Sequence, residues 1–286
     1  MPDDTVSPSV SGGTRGIANV LSIAGTDPTG GAGIHADLKA FSALGAYGMA
    51  AVTAVVAQNT QGVRSFVTLD PAFVADQIDA VFEDVRVDAV KIGMVATADI
   101  AEAIAGRLKC HGAKNIVLDP VMVAKSGDRL LQPDAVEAIR DLLVPISRII
   151  TPNLPEAGVL LDAKPDWTLD EMRSRARNLL DLGPEWVLLK GGHLSSTESI
   201  DVLLGQRSME FAAPRIATRN DHGTGCTLSA AIAALLPHRT VADAVHQAKL
   251  YLNGALAASD QLEVGHGHGP LHHFHALWAM PSPARN

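Results

Sequence analysis

The chain has 286 residues, with 23 Lys and Arg against 31 Asp and Glu, so its formal net charge is −8. A hydrophobic content of 47% with 19% charged residues excludes a disordered or fibrous chain. The acidity argues against a nucleic-acid surface, and the longest apolar stretch, the nine residues Met49–Ala57, is too short to cross a bilayer.

We expect a cytoplasmic protein without a membrane partner, from the start of the chain, the short apolar stretches and the two cysteines. Residues 1–16 are rich in Ser, Gly, Pro and Asp and lack the basic and apolar regions of a signal peptide, so we expect a flexible tail there. Residues 17–286 contain no long linker or internal repeat and are expected to form a single domain. Cys110 and Cys226 provide no disulfide framework.

From residue 19 onward, short apolar runs alternate with amphipathic stretches. The predicted strands are Val20–Ala24, Met49–Val56, Ala89–Ile92, Ile116–Leu118, Arg148–Ile150 and Trp186–Leu189. The predicted helices are Pro71–Asp84, Asp99–His111, Pro133–Leu143, one that begins at Thr168 with a capping box to Glu171, and one from Thr240 to about Ser259. This alternation predicts an α/β fold with a mostly parallel central sheet and helices on both faces.

One pair of segments departs from that alternation. Ser199–Leu204 and Met209–Pro214 are joined by a short turn that contains Gly205. This spacing predicts an antiparallel hairpin at one edge of the sheet.

Polar residues, Gly and Pro follow each predicted strand. The segments concerned are residues 25–27, 58–59, 93–94, 119–121, 151–153 and 190–192. Ligands bind beyond the carboxyl ends of the strands in open α/β sheets, so these segments predict a site at that edge. The alternative is that loops are polar wherever they occur.

Residues 221–230, DHGTGCTLSA, carry the strongest local signal. Two glycines precede an Ala- and Leu-rich helix whose first N–H groups suit a phosphate. The segment is not a Walker A loop, because no Lys follows the second glycine. The alternative is an ordinary glycine-rich helix start.

A second glycine-rich turn covers residues 25–33 and also leads from a strand into a helix. In that helix, Asp37 faces either the cleft or solvent. Lys91, just before Gly93, either lines the cleft or forms a structural ion pair.

Seven motifs occur in an order that resembles one known family. They are AGTDPTGGAGIHADLKAFSALGAYG, AVVAQNTQGV, KIGMVA, LDPVMVAKSGD, TPNLPEA, KGGH and HGTGCTLSAA. Together they resemble the hydroxymethylpyrimidine/phosphomethylpyrimidine kinases of thiamine biosynthesis, which have a ribokinase-like three-layer fold. The resemblance implies phosphorylation of 4-amino-5-hydroxymethyl-2-methylpyrimidine by ATP, then a second phosphorylation of the monophosphate. It also implies a homodimer and Mg²⁺.

The same resemblance implies a role for each matching residue. The substrate pocket would be formed by Gly25, Asp37, Gln58, Met94 and Val121. The nucleotide would be bound by Asn153, Glu156, Lys190 and Thr224, and Mg²⁺ by Asp119 and Glu156. Residues 125–128 would form a flap over the substrate.

The catalytic turn would comprise Gly223, Gly225 and Cys226. Cys226 replaces the aspartate that sugar kinases of the superfamily use as a base. At a helix start its pKa should fall, which would make it a thiolate base. The alternative is that Cys226 mainly positions the hydroxymethyl group and completes the anion site.

Two other functions compete with the pyrimidine kinase. A pyridoxal kinase acts on a flat hydroxymethyl heterocycle of similar size, although dedicated pyridoxal kinases of the superfamily usually keep the aspartate. A silent pyrimidine-binding protein would have no use for the nucleotide-side residues. The five histidines between His266 and His275 lack a recognisable zinc spacing and are interpreted as structural.

Overall fold

The computed structural model describes residues 16–122, 133–192, 194 and 197–278. The strands are β1 (Asn19–Ala24), β2 (Tyr47–Val52), β3 (Ala54–Asn59), β4 (Gly62–Thr68), β5 (Ala89–Ile92), β6 (Ile116–Leu118), β7 (Ile149–Ile150), β8 (Trp186–Leu189), β9 (Glu198–Leu204) and β10 (Ser208–Pro214). The helices are α1 (Gly33–Ala43), α2 (Pro71–Asp84), α3 (Ala98–Cys110), α4 (Pro133–Ala138), α5 (Leu154–Leu160), α6 (Leu169–Leu180), α7 (Thr224–Leu235) and α8 (Val241–Ala257). The predicted N-terminal tail lies almost wholly outside the described residues.

Eight strands form the main sheet in the order β10-β9-β8-β7-β6-β5-β1-β2. Strands β8 to β2 in that order pair in parallel, whereas β9 is antiparallel to both β8 and β10. The predicted mostly parallel sheet with an antiparallel edge hairpin is therefore confirmed. The chain leaves β1 toward β2 on one side and returns to β5 on the other, which makes the end of β1 the switch point where open α/β sheets bind ligands.

Alternating side chains of the strands enter two separate cores, one on each face of the sheet. Leu21 and Ile92 pack with helices α2, α3 and α6 on one face. Val20 and Val117 pack with α1, α7 and α8 on the other. Because neighbouring side chains of a strand point to opposite faces, strands that are apolar throughout require helices on both sides.

The predicted strand Met49–Val56 is wrong as a single element. The chain turns at Thr53, whose N–H donates to the Ala24 carbonyl (3.0 Å) and whose hydroxyl donates to the Met94 carbonyl (2.7 Å). Before the turn, β2 pairs with β1; after it, β3 forms a two-stranded antiparallel sheet with β4. The uninterrupted apolar run conceals this turn, and β4 was not predicted.

Capping signals located the helix ends well. The Thr168 hydroxyl accepts from the Glu171 N–H (3.3 Å), and the Glu171 carboxylate accepts from the Thr168 N–H (2.7 Å), which is the predicted capping box. The predicted helix Pro133–Leu143 continues beyond α4 as a π-helical turn, Ile139–Leu143. No helix among the described residues is both long and apolar enough to cross a membrane.

Candidate active site

A cavity of about 840 Å³ opens at the carboxyl ends of the parallel strands. Its walls include residues that follow β1, β5, β6, β7 and β8, together with the first turn of α7. The polar segments predicted at this edge therefore meet at one site.

The two glycine-rich turns touch one another directly. Gly223 has φ = +84°, and a Cβ there would lie 1.8 Å from the Gly31 carbonyl oxygen. Gly33 has φ = +55°, and a Cβ there would lie 2.3 Å from the Gly25 carbonyl oxygen. A residue with a Cβ fits neither position. Gly223 lets the start of α7 meet the turn after β1, and Gly33 lets that turn close on its own first residue, Gly25.

Asp27 and His222 link the same turns through their side chains, a contact that was not predicted. The buried Asp27 carboxylate accepts hydrogen bonds from the N–H groups of Gly31 (3.1 Å) and Ala32 (2.8 Å), and its Oδ2 lies 2.8 Å from His222 Nε2. Burial opposes ionisation, but the bonds from His222 and its neighbours outweigh burial and lower the pKa of Asp27. The sequence feature that could have indicated this contact is that Asp27 lies in one glycine-rich segment and His222 in the other.

Lys190, Asp119 and Glu156 form a charged cluster in the cavity. Lys190 Nζ lies 3.0 Å from Asp119 Oδ1 and 3.9 Å from Glu156 Oε2. A Cβ on Gly225 would lie 3.2 Å from Lys190 Nζ and 3.5 Å from Asp119 Oδ2. The backbone at the start of α7 therefore adjoins this cluster.

Burial shapes the protonation of the two carboxyl groups in different ways. Burial raises the pKa of Glu156 to about 7, because the partial compensation by Lys190 is opposed by Asp119. Burial also acts on Asp119, but Lys190 and Lys91 outweigh it and lower the pKa of that carboxyl. Of the two carboxyl groups, Asp119 is therefore the more readily ionised.

Asn153 and Glu156 also form the capping box of α5. The Asn153 side chain accepts from the Glu156 N–H (2.9 Å), and the Glu156 carboxylate accepts from the Asn153 N–H (2.8 Å). The three-residue spacing of Asn153 and Glu156 is that of a capping box. The cap fixes the position of both side chains at the cavity wall.

The opposite side of the cavity is an apolar slot. A Cβ on Gly25 would lie 3.2 Å from Met94 Sδ and 3.7 Å from Val56 Cγ2, so the backbone of Gly25 and these side chains lie close together. Val121 packs against the same group, and Gln58 adds an amide to the wall. The structure thus brings together four of the five residues that the resemblance assigned to the ring.

Asp37, the fifth, is placed elsewhere. Its side chain is fully buried and does not line the cavity; Oδ2 accepts from Ser22 Oγ (2.6 Å) and Lys91 Nζ (2.9 Å). The structure therefore does not place the Asp37 carboxylate at the cavity wall; Lys91, which does line the cavity, lies next to it as its ion-pair partner. The sequence left open whether Lys91 lines the cleft or forms an ion pair; in the structure it does both.

Cys226 lies in the first turn of α7 and lines the cavity. Burial raises the pKa of its thiol to about 11, although Lys91 acts in the other direction. The expected fall of the pKa is therefore wrong, because desolvation outweighs the neighbouring cation Lys91 and the carboxylates Asp37 and Asp119 also raise the pKa. At neutral pH the group is a neutral thiol.

A second buried ion pair lies at another part of the wall and was also not predicted. Lys249 Nζ, on α8, lies 2.7 Å from Asp201 Oδ2, and Asp201 Oδ1 accepts from the Gly191 N–H (2.9 Å). This pair holds the backbone that follows Lys190. In the sequence, a Lys within an amphipathic helix is expected on the solvent-exposed face, so the pattern did not predict this ion pair.

Thr224 lines the cavity, and its hydroxyl donates to the Asp221 carbonyl (2.6 Å). The predicted flap, residues 125–128, lies outside the described residues. Within the part of the chain that the structure describes, no group of three or more His, Cys, Asp or Glu is arranged to hold a metal ion.

At the switch point of this open, mostly parallel sheet, a helix N-terminus, a lysine and two carboxylates share one cavity with an apolar slot. This fold and site define a small-molecule kinase of the ribokinase-like class. The phosphomethylpyrimidine kinase family model matches residues 27–272. The chain belongs to this family.

Individual relatives agree with this assignment. The chain is 58% identical over 262 residues to the hydroxymethylpyrimidine/phosphomethylpyrimidine kinase of Salmonella typhimurium, a match that covers 91% of this chain and 98% of the relative. The crystal structure of phosphomethylpyrimidine kinase from Clostridium difficile 630 is 43% identical with a TM-score of 0.74, covering 84% of this chain and 99% of that one. Pyridoxal kinase from Staphylococcus aureus, solved with AMP-PCP and pyridoxal, is 30% identical with a TM-score of 0.84, covering 92% and 96%.

Proposed function

We propose that the protein transfers a phosphoryl group from ATP to the hydroxymethyl of 4-amino-5-hydroxymethyl-2-methylpyrimidine, and then phosphorylates the monophosphate to the diphosphate, in thiamine biosynthesis. One observation carries the proposal. The slot formed by Gly25, Gln58 and Met94 and the anion-binding turn at Gly225 line the same cavity, with Cys226 in that turn. The family membership and the name of the Salmonella typhimurium relative support it.

The slot suits a flat aminopyrimidine. Met94 and Val121 supply apolar walls, and the Gln58 amide offers both a donor and an acceptor to the ring edge. In the transfer, the hydroxymethyl oxygen attacks the γ-phosphorus of ATP, and the bond from that phosphorus to its bridging oxygen breaks. ADP leaves with the electron pair of that bond, and the proton of the alcohol passes to solvent or to a phosphate oxygen.

The residues of the turn stabilise charge rather than take the proton. The N–H groups at the start of α7 face the developing negative charge, and Lys190 neutralises the nucleotide phosphates. Phosphoryl transfer has a loose transition state that depends mainly on alignment, so a neutral thiol at Cys226 suffices to position the alcohol.

ATP and Mg²⁺ fit the nucleotide side. Asn153, Thr224 and Lys190 line that part of the cavity, and the two carboxylates Asp119 and Glu156 are the oxygen ligands that Mg²⁺ prefers alongside phosphate. When bound, the ion would neutralise phosphate charge.

Phosphorylation of pyridoxal is the second candidate, as a side activity. It is favoured by the TM-score of 0.84 with a pyridoxal kinase solved with AMP-PCP and pyridoxal. A coupled assay of ADP release, run with the pyrimidine alcohol and with pyridoxal in separate reactions, tests both. A higher kcat/KM for pyridoxal would overturn the first proposal.

We also expect a cytoplasmic homodimer. The negative net charge of −8 disfavours a nucleic-acid partner. Sedimentation equilibrium tests the assembly: twice the chain mass of 29.9 kDa is expected, and a single chain mass would contradict it.

A further inference from the structure

The side chain of Lys91 is a buried cation of the cavity that no step above uses. It lies on β5 and is fully buried from solvent, yet it lines the cavity. Among the described residues its hydrogen bonding is limited to Asp37 Oδ2 at 2.9 Å. An ammonium group has three N–H bonds, so two remain for another partner.

Lys91 is the member of the ion pair that reaches the cavity, because Asp37 lies behind it. Lys91, Met94 and Cys226 line the same cavity, and a Cβ on Gly93 would lie 2.8 Å from Lys91 Nζ. Because Met94, the residue after Gly93, walls the slot, the ammonium lies on the substrate side of the cavity, where the hydroxymethyl of a substrate would be placed. Lys190 is a second cation of the cavity, at Asp119 and Glu156, and Lys249 is a third, paired with Asp201.

Stability alone does not require this pair. A buried lysine and carboxylate lose their hydration, and replacing such a pair with apolar side chains of similar volume is often neutral or stabilising. Here Lys91 lies on β5 beside Ser22 of β1, in the centre of the sheet, and its partner Asp37 comes from α1. A lysine ammonium at this position, with a carboxylate behind it, is better explained by an anionic ligand that binds the ammonium.

The two phosphorylation steps differ in the charge that this end of the cavity must accept. The first acceptor is a neutral alcohol. The second is a phosphate monoester, whose oxygen must attack the γ-phosphorus of ATP as ADP departs with the electrons of the broken bond. Two anionic phosphates then occupy neighbouring positions, and their repulsion must be offset by a cation on the acceptor side.

We propose that Lys91, held by Asp37, binds the phosphate of the monophosphate substrate and so permits the second phosphorylation in the same cavity. This inference rests on the proposed function. It assigns Lys91 to substrate binding and Asp37 to positioning, and it explains why a carboxylate expected at the ring is found behind a lysine.

The test compares the two steps in the double variant Lys91→Met with Asp37→Asn, which removes both charges and leaves neither one buried alone. The kcat/KM is measured with the alcohol and with the monophosphate as separate starting substrates. The value for the monophosphate should fall at least about tenfold further than the value for the alcohol, which is about 1.4 kcal/mol. An equal fall in both, or no fall, would overturn the inference.

The matched control is the double variant Lys249→Met with Asp201→Asn, which removes a buried ion pair from another part of the same cavity. It should slow both steps by the same factor. If the wild-type protein phosphorylates neither substrate, the proposed function fails; if it phosphorylates both and the ratio is unchanged in the Lys91 variant, only this inference fails.

A crystal structure of the wild-type protein with the monophosphate tests the same contact without a variant. We expect a phosphate oxygen within hydrogen-bond distance of Lys91 Nζ. A phosphate held only by the α7 turn and Lys190 would overturn the assignment.

Discussion

His222 Nε2 lies 2.8 Å from Oδ2 of Asp27, although 195 residues separate the two along the chain. Asp27 also organises the turn after β1 through bonds to Gly31 and Ala32, and His222 directly precedes Gly223. The contact therefore fastens the wall of the substrate slot to the anion-binding turn. If the proposed function holds, we expect this junction to set the distance between acceptor and phosphate donor.

Gly223→Ala should open that junction. The variant places a Cβ 1.8 Å from the Gly31 carbonyl at φ = +84°, so the turns must separate, and backbone strain adds about 1–3 kcal/mol of destabilisation. We expect a lower free energy of unfolding in urea titrations and a fall in kcat/KM of at least about tenfold. Gly106→Ala, in open space on α3, is the control and should stabilise the protein by about 0.5–1 kcal/mol. Equal effects of the two changes would contradict this account.

Cys226→Ala should slow turnover at saturating substrate by more than about tenfold, or roughly 1.4 kcal/mol. The neutral thiol positions the alcohol, so Cys226→Ser, which keeps a polar group of similar size, should retain more of the activity than the alanine variant. Turnover numbers from the coupled assay provide the comparison. Wild-type turnover in the alanine variant would refute the role.

Alkylation by iodoacetamide should distinguish the two cysteines. Burial raises the pKa of Cys226 to about 11, so its reactive thiolate is scarce at neutral pH, whereas Cys110 is exposed. We expect peptide mass spectrometry to find Cys110 labelled first, and labelling of Cys226 to accelerate about tenfold per pH unit between about pH 8 and pH 10. Rapid labelling of Cys226 at neutral pH would contradict the raised pKa and support the alternative that Cys226 acts as a thiolate base.

Acid should destabilise the protein through His273, which is 3% exposed and whose Nε2 lies 3.0 Å from Thr227 Oγ1. Burial lowers the pKa of His273 from 6.5 to about 4. Between these values the unfolded chain binds the proton and the folded protein does not, so the free energy of unfolding falls as the pH falls, by up to about 3 kcal/mol. His273→Gln should flatten this slope in urea titrations between about pH 6.5 and pH 4. An unchanged slope would contradict the assignment.

Periodicity and capping located the sheet and most helix ends because those signals are local. Ala89–Ile92 and Pro71–Asp84 match their predicted bounds, since an apolar run or a capping residue marks each end. Met49–Val56 failed because its turn at Thr53 is fixed by hydrogen bonds to Ala24 and Met94, which lie far away in sequence.

The chemistry of the site was harder to predict for the same reason. Residue types placed Lys190 and Cys226 at the correct edge, but the partner of Asp37 and the desolvation of Cys226 depend on tertiary packing. A helix N-terminus alone suggests a lowered thiol pKa; only the surrounding protein shows that burial outweighs it.

The central claim is tested most directly by adding 4-amino-5-hydroxymethyl-2-methylpyrimidine to the purified protein with ATP and Mg²⁺, and following ADP release and product mass together. We expect the alcohol to be converted first to the monophosphate and then to the diphosphate, with one ADP released per phosphoryl group. Release of no ADP, or a pyrimidine recovered unchanged, would contradict the account.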